Sequence, residues 1–157
     1  MSTLECEQSM KSVLTQYGEE VGLGTPISDE DNVFTLEVDT GHLINFLQHP
    51  HTEEIIMWML IGSVPKDGRD HFLTRVLEAN LFLSTTDDLS LSLMPDGESI
   101  VLARMTDLEQ FTPEVTHQVI HDFLDFTHRF DRWVRDETDC LEAETVVEDI
   151  EESGLRV

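Results

Sequence analysis

Cysteine is nearly absent from this chain: only Cys6 and Cys140 occur, far apart and outside any C-x-x-C pair. Two isolated thiols build neither a disulfide framework nor a zinc knuckle, so reduced thiols in a cytosolic setting are expected. Basic residues are scarce as well, with nine Lys plus Arg against 33 Asp plus Glu and a formal net charge of −24. Such a field repels phosphate backbones and anionic headgroups, so neither nucleic acid nor a membrane surface is an expected partner. It does attract basic or neutral polypeptides and keeps a protein soluble while it carries apolar surface. A long hydrophobic run is also missing. The longest, Ile55 to Ile61, is far short of the ~20 residues that span a bilayer. The opening MSTLECEQSMKSVL has no basic n-region and no continuous apolar stretch, so no secretory signal is expected.

Catalytic motifs are missing too. There is no G-x-S-x-G, no G-x-x-x-x-G-K-[ST] and no paired G-x-G-x-x-G, and Gly22-Leu23-Gly24 before Pro26 is a lone G-x-G that a turn explains. The one constellation with metal-ligand spacing is His117, His121 and Asp125, with His128 beside them. Residues four apart stack on a helix and could hold a divalent ion. No companion motif supplies a general base, however, and these side chains fall opposite the apolar arc of their helix, so an exposed polar face is the preferred reading. His42, His49, His51 and His71 lie around turns and read as surface residues. No catalytic residue, metal or cofactor is expected.

At 157 residues the chain fits one domain. Met10, Val13, Leu14, Tyr17 and Val21 recur at helical spacing, with Gly18 and Gly22 expected to stop the helix. Phe34, Leu36 and Val38 alternate with polar neighbours, Thr40-Gly41 marks a turn, and His42 to Gln48 returns as the second strand of a hairpin. Ile55 to Ile61 is apolar at every position, so both faces of a third strand want cover. Phe72, Leu73, Val76, Leu77, Asn80 and Leu81 continue at helical spacing. Leu89, Leu91 and Leu93 alternate with serines, and Pro95-Asp96-Gly97 closes a hairpin onto Ser99 to Arg104.

Thr112 is an N-cap candidate, with Pro113 at the first helical position. The helix it starts carries Val115, Val119, Phe123, Phe126, Phe130, Trp133 and Val134 on one arc. From Asp136 to Val157 nine acids face one base, Arg156, which predicts a disordered or frayed helical tail after a domain covering residues 1–135. The expected fold class is α+β, an antiparallel twisted sheet with order α-β-β-β-α-β-β-α and five strands. A doubly apolar strand beside an apolar helix is more than one small core needs, since burying each Ile or Met side chain contributes ~1.5–3 kcal/mol. A second copy, a client polypeptide, or helices laid on both faces of the sheet are the candidate covers.

These residues resemble the class I type III secretion chaperones, the Tir chaperone family. The likeness covers Leu4 to Val134. It rests on the element order, V-F-T-L-E-V-D-T-G-H (Val33 to His42), L-T-R-V-L-E-A-N-L-F (Leu73 to Phe82), L-S-L-M-P-D-G-E-S-I-V-L (Leu91 to Leu102), and a final aromatic helix with Phe130 and Trp133. The resemblance implies a non-enzymatic, cytoplasmic bacterial chaperone, acting as a homodimer on the N-terminal region of type III secreted effectors. It also implies release by the secretion ATPase. Some members sequester a transcriptional control protein instead, which is the alternative function; a histidine-based metal enzyme is a third.

By element, the resemblance places the dimer interface at Phe72, Val76, Leu77, Asn80 and Leu81. It places effector contacts at Val13, Leu14 and Tyr17 of the first helix and at Phe34, Leu36, Met57 and Met59 of the first and third strands.

Overall fold

The computed structural model describes residues 3–28, 33–38, 41–49, 51–83 and 89–152, with side chains described between residues 8 and 81 and between 89 and 136. Helix α1 (Thr3–Val21) forms on the stripe of Met10, Leu14 and Tyr17, all buried. It ends at Gly22, whose φ of +73° suits a glycine beyond a helix end. Gly18, expected to help stop the helix, lies inside it. The returning chain crosses this point so closely that a Cβ on Gly18 would sit 2.7 Å from the Gly24 carbonyl oxygen. The glycine serves that close approach and does not terminate the helix.

Six strands form one antiparallel sheet: β1 (Ile27–Ser28), β2 (Phe34–Val38), β3 (His42–Gln48), β4 (Glu54–Ser63), β5 (Ser90–Leu93) and β6 (Ser99–Asp107), in spatial order β1-β2-β3-β4-β6-β5. Five of them answer the expected pattern; β1 is an addition, because two residues show no alternation to detect. Helix α2 (Arg69–Leu83) follows β4, and a 3₁₀ turn at Leu108–Gln110 leads into α3 (Pro113–Glu152). Thr112 caps α3 as its side chain predicts: its Oγ1 accepts the Val115 N–H at 3.3 Å. The backbone of α3 stays helical through the acidic segment to Glu152.

Register fixes which side chains meet. Leu36, Ile44, Met59 and Leu102 stand abreast across β2, β3, β4 and β6, and Phe34, Phe46 and Met57 form the adjoining row. These residues share one buried cluster with Met10 and Leu14 of α1, Phe72 and Val76 of α2, and Val119 and Phe123 of α3. The helices thus cover the same face of the sheet, and the arrangement with helices on both faces is not observed among the described residues. An aromatic knot ties α2 to α3, with the Phe72 and Phe130 rings 5.6 and 5.5 Å from that of Trp133.

Candidate functional site

Because successive strand residues point to opposite faces, burying one parity of β3, β4 and β6 sends the other parity away from the helices. That parity is apolar here as well. It comprises Leu43 and Leu47 on β3 with Asn45 between them, Ile56, Trp58 and Leu60 on β4, and Ala103 and Met105 on β6 with Val101, which is buried. Leu47, Ile56 and Met105 make one row, and Asn45, Trp58 and Ala103 the next. Leu60 is 55 %, Leu43 49 % and Met105 46 % exposed. At standard spacings the patch is roughly 10 Å wide and 14 Å long. Polar side chains border it: Thr35, whose hydroxyl donates to Asn45 Oδ1 at 2.8 Å, and Glu37 on β2, with Ser90 and Ser92 on β5.

A second apolar surface lies on α2, where Leu77 is 70 % and Leu81 72 % exposed. Both surfaces exceed the scattered single hydrophobes that need no explanation.

The expected site residues divide accordingly. Leu14, Tyr17, Phe34, Leu36, Met57 and Met59 are all buried, and Val13 is partly buried against the same core. They share the core cluster beneath the helices. The expected residues of β2 and β4 have the inward parity, whereas Leu43, Leu60 and Met105 are exposed and Trp58 is half-buried on the other face. For Trp58 and Leu60 the signal is the unbroken apolar run of β4, which supplies both faces.

On α2, Phe72 and Val76 are likewise buried within the chain, whereas Leu77 and Leu81 face outward. Asn80 is turned to β5: its Nδ2 donates to the Leu91 carbonyl at 2.8 Å and its Oδ1 accepts the Leu91 N–H at 2.7 Å.

The histidine face of α3 offers little chemistry. His117, His121, Asp125 and His128 are exposed. His117 Nδ1 lies 3.4 Å from the Tyr17 hydroxyl, and burial pushes that phenol's pKa up. His121 Nδ1 sits 3.7 Å from Asp122. Among the described residues no group of three His, Cys, Asp or Glu side chains is disposed to hold a metal ion. Nor, among them, is any helix long and apolar enough to cross a membrane.

The architecture defined by this one-sided sheet is that of the type III secretion chaperones. The chain is similar to a chain of the ExsC–ExsE complex, with a TM-score of 0.68 at 16% identity over 80% of this chain and 93% of that one. It is similar to a chain of the HopA1–SchA chaperone–effector complex, with a TM-score of 0.64 at 11% identity, covering 78% and 92% respectively. A third likeness is to the structure of the Yersinia pestis type III secretion chaperone SycH with a fragment of YscM2, at a TM-score of 0.59 and 17% identity over 76% and 98%. At these identities the likeness is one of fold. No curated protein sequence matches significantly. Residues 12–129 match the Tir chaperone protein (CesT) family, and the chain belongs to that family. The family is one of chaperones, not of enzymes.

Proposed function

We propose that this chain is a cytoplasmic bacterial chaperone that works as a homodimer and holds the N-terminal region of one or more type III secreted effectors in a soluble, secretion-competent state. The observation that carries this reading is the outward apolar parity of β3, β4 and β6 in a chain of net charge −24. A folded chain of this family with Leu43, Leu60 and Met105 half exposed has apolar surface to share. Burying each such side chain contributes ~1.5–3 kcal/mol toward the ordering cost of a bound, non-globular segment.

The client segment lies across this face in extended form and adds a strand to a sheet edge, so backbone pairing supplies affinity and the apolar rows supply selectivity. Leu77 and Leu81 of α2 meet the second copy. No nucleotide takes part; the secretion ATPase releases the client. The chaperone domain is residues 1–135, and the acidic segment beyond it extends past the family match.

Size exclusion with light scattering, followed by mass spectrometry of whatever co-elutes from the native bacterium, tests this. The expected result is a dimer accompanied by an exported protein bound through its N-terminal region. A co-eluting transcriptional control protein would instead support the sequestering role, for which the same surface serves. A monomer with no affinity for unfolded polypeptide would overturn the proposal.

A further inference from the structure

The open face of the sheet carries one polar pair between its apolar rows. Leu60 and Val101 are paired toward one end of the face, and Leu47, Ile56 and Met105 stand abreast at the other. The row between them is Thr35, Asn45, Trp58 and Ala103, drawn from β2, β3, β4 and β6. Ile44 and Phe46 are fully buried beneath the helices, so Asn45 between them points outward.

Across the β2–β3 pair the Thr35 hydroxyl donates to Asn45 Oδ1 at 2.8 Å. That bond orients the carboxamide and leaves its two N–H donors outside the pair. Among the described residues Asn45 Nδ2 makes no hydrogen bond, and it is not one of the buried side-chain atoms left unpaired, so it is open to solvent. Anything laid on the face strips water from these donors. A leucine placed over them leaves both unpaired, whereas an acceptor replaces the water they lose.

We propose that Asn45, oriented by Thr35, is a specificity-determining residue of the client face: it selects a segment that sets a neutral hydrogen-bond acceptor, on a side chain, between two apolar side chains. An extended segment turns every second side chain to the face at intervals of roughly 7 Å, the spacing of Leu43, Asn45 and Leu47 along β3. The pattern read is therefore apolar, acceptor, apolar at alternate positions. A carboxylate is the wrong acceptor, because the chain carries a net charge of −24 and Glu37, paired with Leu43, borders the same face. The pair also lies clear of the proposed contact between copies: α2 is fastened to β5 through Asn80 and Leu91, and β4 and β6 separate β3 from β5. This inference rests on the proposed client-holding function.

The test measures binding, by fluorescence anisotropy, of lysine-flanked synthetic peptides whose inward positions read Leu-X-Leu. X is methionine, methionine sulfoxide or glutamate; the first two differ by one oxygen, which accepts a hydrogen bond and donates none. The wild type should bind the sulfoxide peptide about fivefold more tightly than the methionine peptide. It should bind the glutamate peptide more weakly than the sulfoxide one, with a gap that narrows as salt is added. Asn45→Leu should reverse the preference to methionine, since the sulfoxide oxygen is then buried unpaired. Thr35→Val, which frees the carboxamide to turn either way, should shrink it. A side chain that only steadies the β2–β3 pair would weaken both peptides alike.

Should Asn45→Leu prove unfolded by circular dichroism, Asn45→Asp, which keeps the acceptor for Thr35 and loses the donors, carries the test by losing the sulfoxide preference. Leu60→Asp, on the same face, is the control and should abolish binding of every peptide. The proposal is overturned if the wild type binds the methionine and sulfoxide peptides equally while Leu60→Asp abolishes both, an outcome that leaves the client-holding face standing. It is equally overturned if a folded Asn45 variant keeps the sulfoxide preference. A wild type that binds none of the peptides, or binding indifferent to Leu60→Asp, removes the open face as the client site and this inference with it.

Discussion

Met59 and Leu60 are neighbours on β4, yet Met59 is fully buried while Leu60 is 55 % exposed. The pleat alone separates them: Met59 lies abreast of Ile44 and Leu102 beneath the helices, and Leu60 points away with Trp58 and Ile56. Alternate residues of a single strand therefore belong to the core and to the open face that the proposed function assigns to the client.

Substitutions at these two positions should dissociate the two properties. Met59→Ala leaves a cavity between packed rows and should cost ~2–5 kcal/mol in urea denaturation. Leu60→Asp places a charge on the open face, where surface substitutions change stability by only about 0.5 kcal/mol either way. It should nevertheless abolish co-purification of the client, because an unpaired carboxylate would be buried on binding. Equal stability loss in both variants, with client retained by Leu60→Asp, would remove the open face from consideration.

The same division applies to α2. Phe72, in contact with Trp133 and Phe130, should lose ~3–5 kcal/mol on replacement by Ala. Leu77→Asp and Leu81→Asp should leave the monomer's melting nearly unchanged and halve the mass seen by light scattering, since each would bury a charge at the contact between copies. A persistent dimer in the double variant would place that contact elsewhere.

Much of this was legible from patterning alone. The five longer strands, the three helices and the Thr112 cap follow from alternation, helical spacing and side-chain chemistry. What the pattern could not decide was parity: in Ile55 to Ile61 every residue is apolar, so either set, Ile55–Met57–Met59 or Ile56–Trp58–Leu60, would serve as the inner face. The choice belongs to tertiary packing, in which the bulk of α1 and α3 settles on one side. For the same reason the residues that the resemblance named on β2 and β4, Phe34, Leu36, Met57 and Met59, turn out to be the buried ones. The bonds between Asn80 and the Leu91 backbone join residues eleven positions apart and left no trace in periodicity. Gly18 was misread because helix propensity penalises glycine, and the sequence does not show which loop returns to lie on it.

Gly18→Ala sets two effects against each other. Helix propensity alone favours alanine by ~1 kcal/mol. Against that, the added methyl would meet the Gly24 oxygen at 2.7 Å and the Leu23 oxygen at 3.2 Å, both backbone atoms that move only if the loop moves. Overpacking of this kind typically costs ~1–3 kcal/mol, so the net change should be a loss of stability. A higher melting temperature for Gly18→Ala would show that the 22–24 loop lifts freely.

The β5–β6 hairpin should carry an acid-sensitive element of stability at Asp96. Its carboxylate accepts the Ser99 hydroxyl at 2.6 Å and the backbone N–H groups of Glu98 and Ser99 at 2.8 and 2.9 Å. These bonds, that of the Ser99 side chain foremost, hold its pKa below the ordinary aspartate value. A group whose folded pKa is depressed stabilises the fold above its unfolded pKa, about 3.9 for Asp, and loses that contribution as pH falls through the folded value. With 33 acids titrating together, the effect is read as a difference between wild type and Asp96→Asn. Near neutral pH the wild type should be the more stable of the two in urea. The gap should narrow as pH drops below about 4, and a carboxyl-carbon titration of Asp96 should show a midpoint lower than that of free aspartate. A gap independent of pH would mean that the turn is held by Gly97, at φ +73°, and the acceptor geometry alone, with no contribution from the charge.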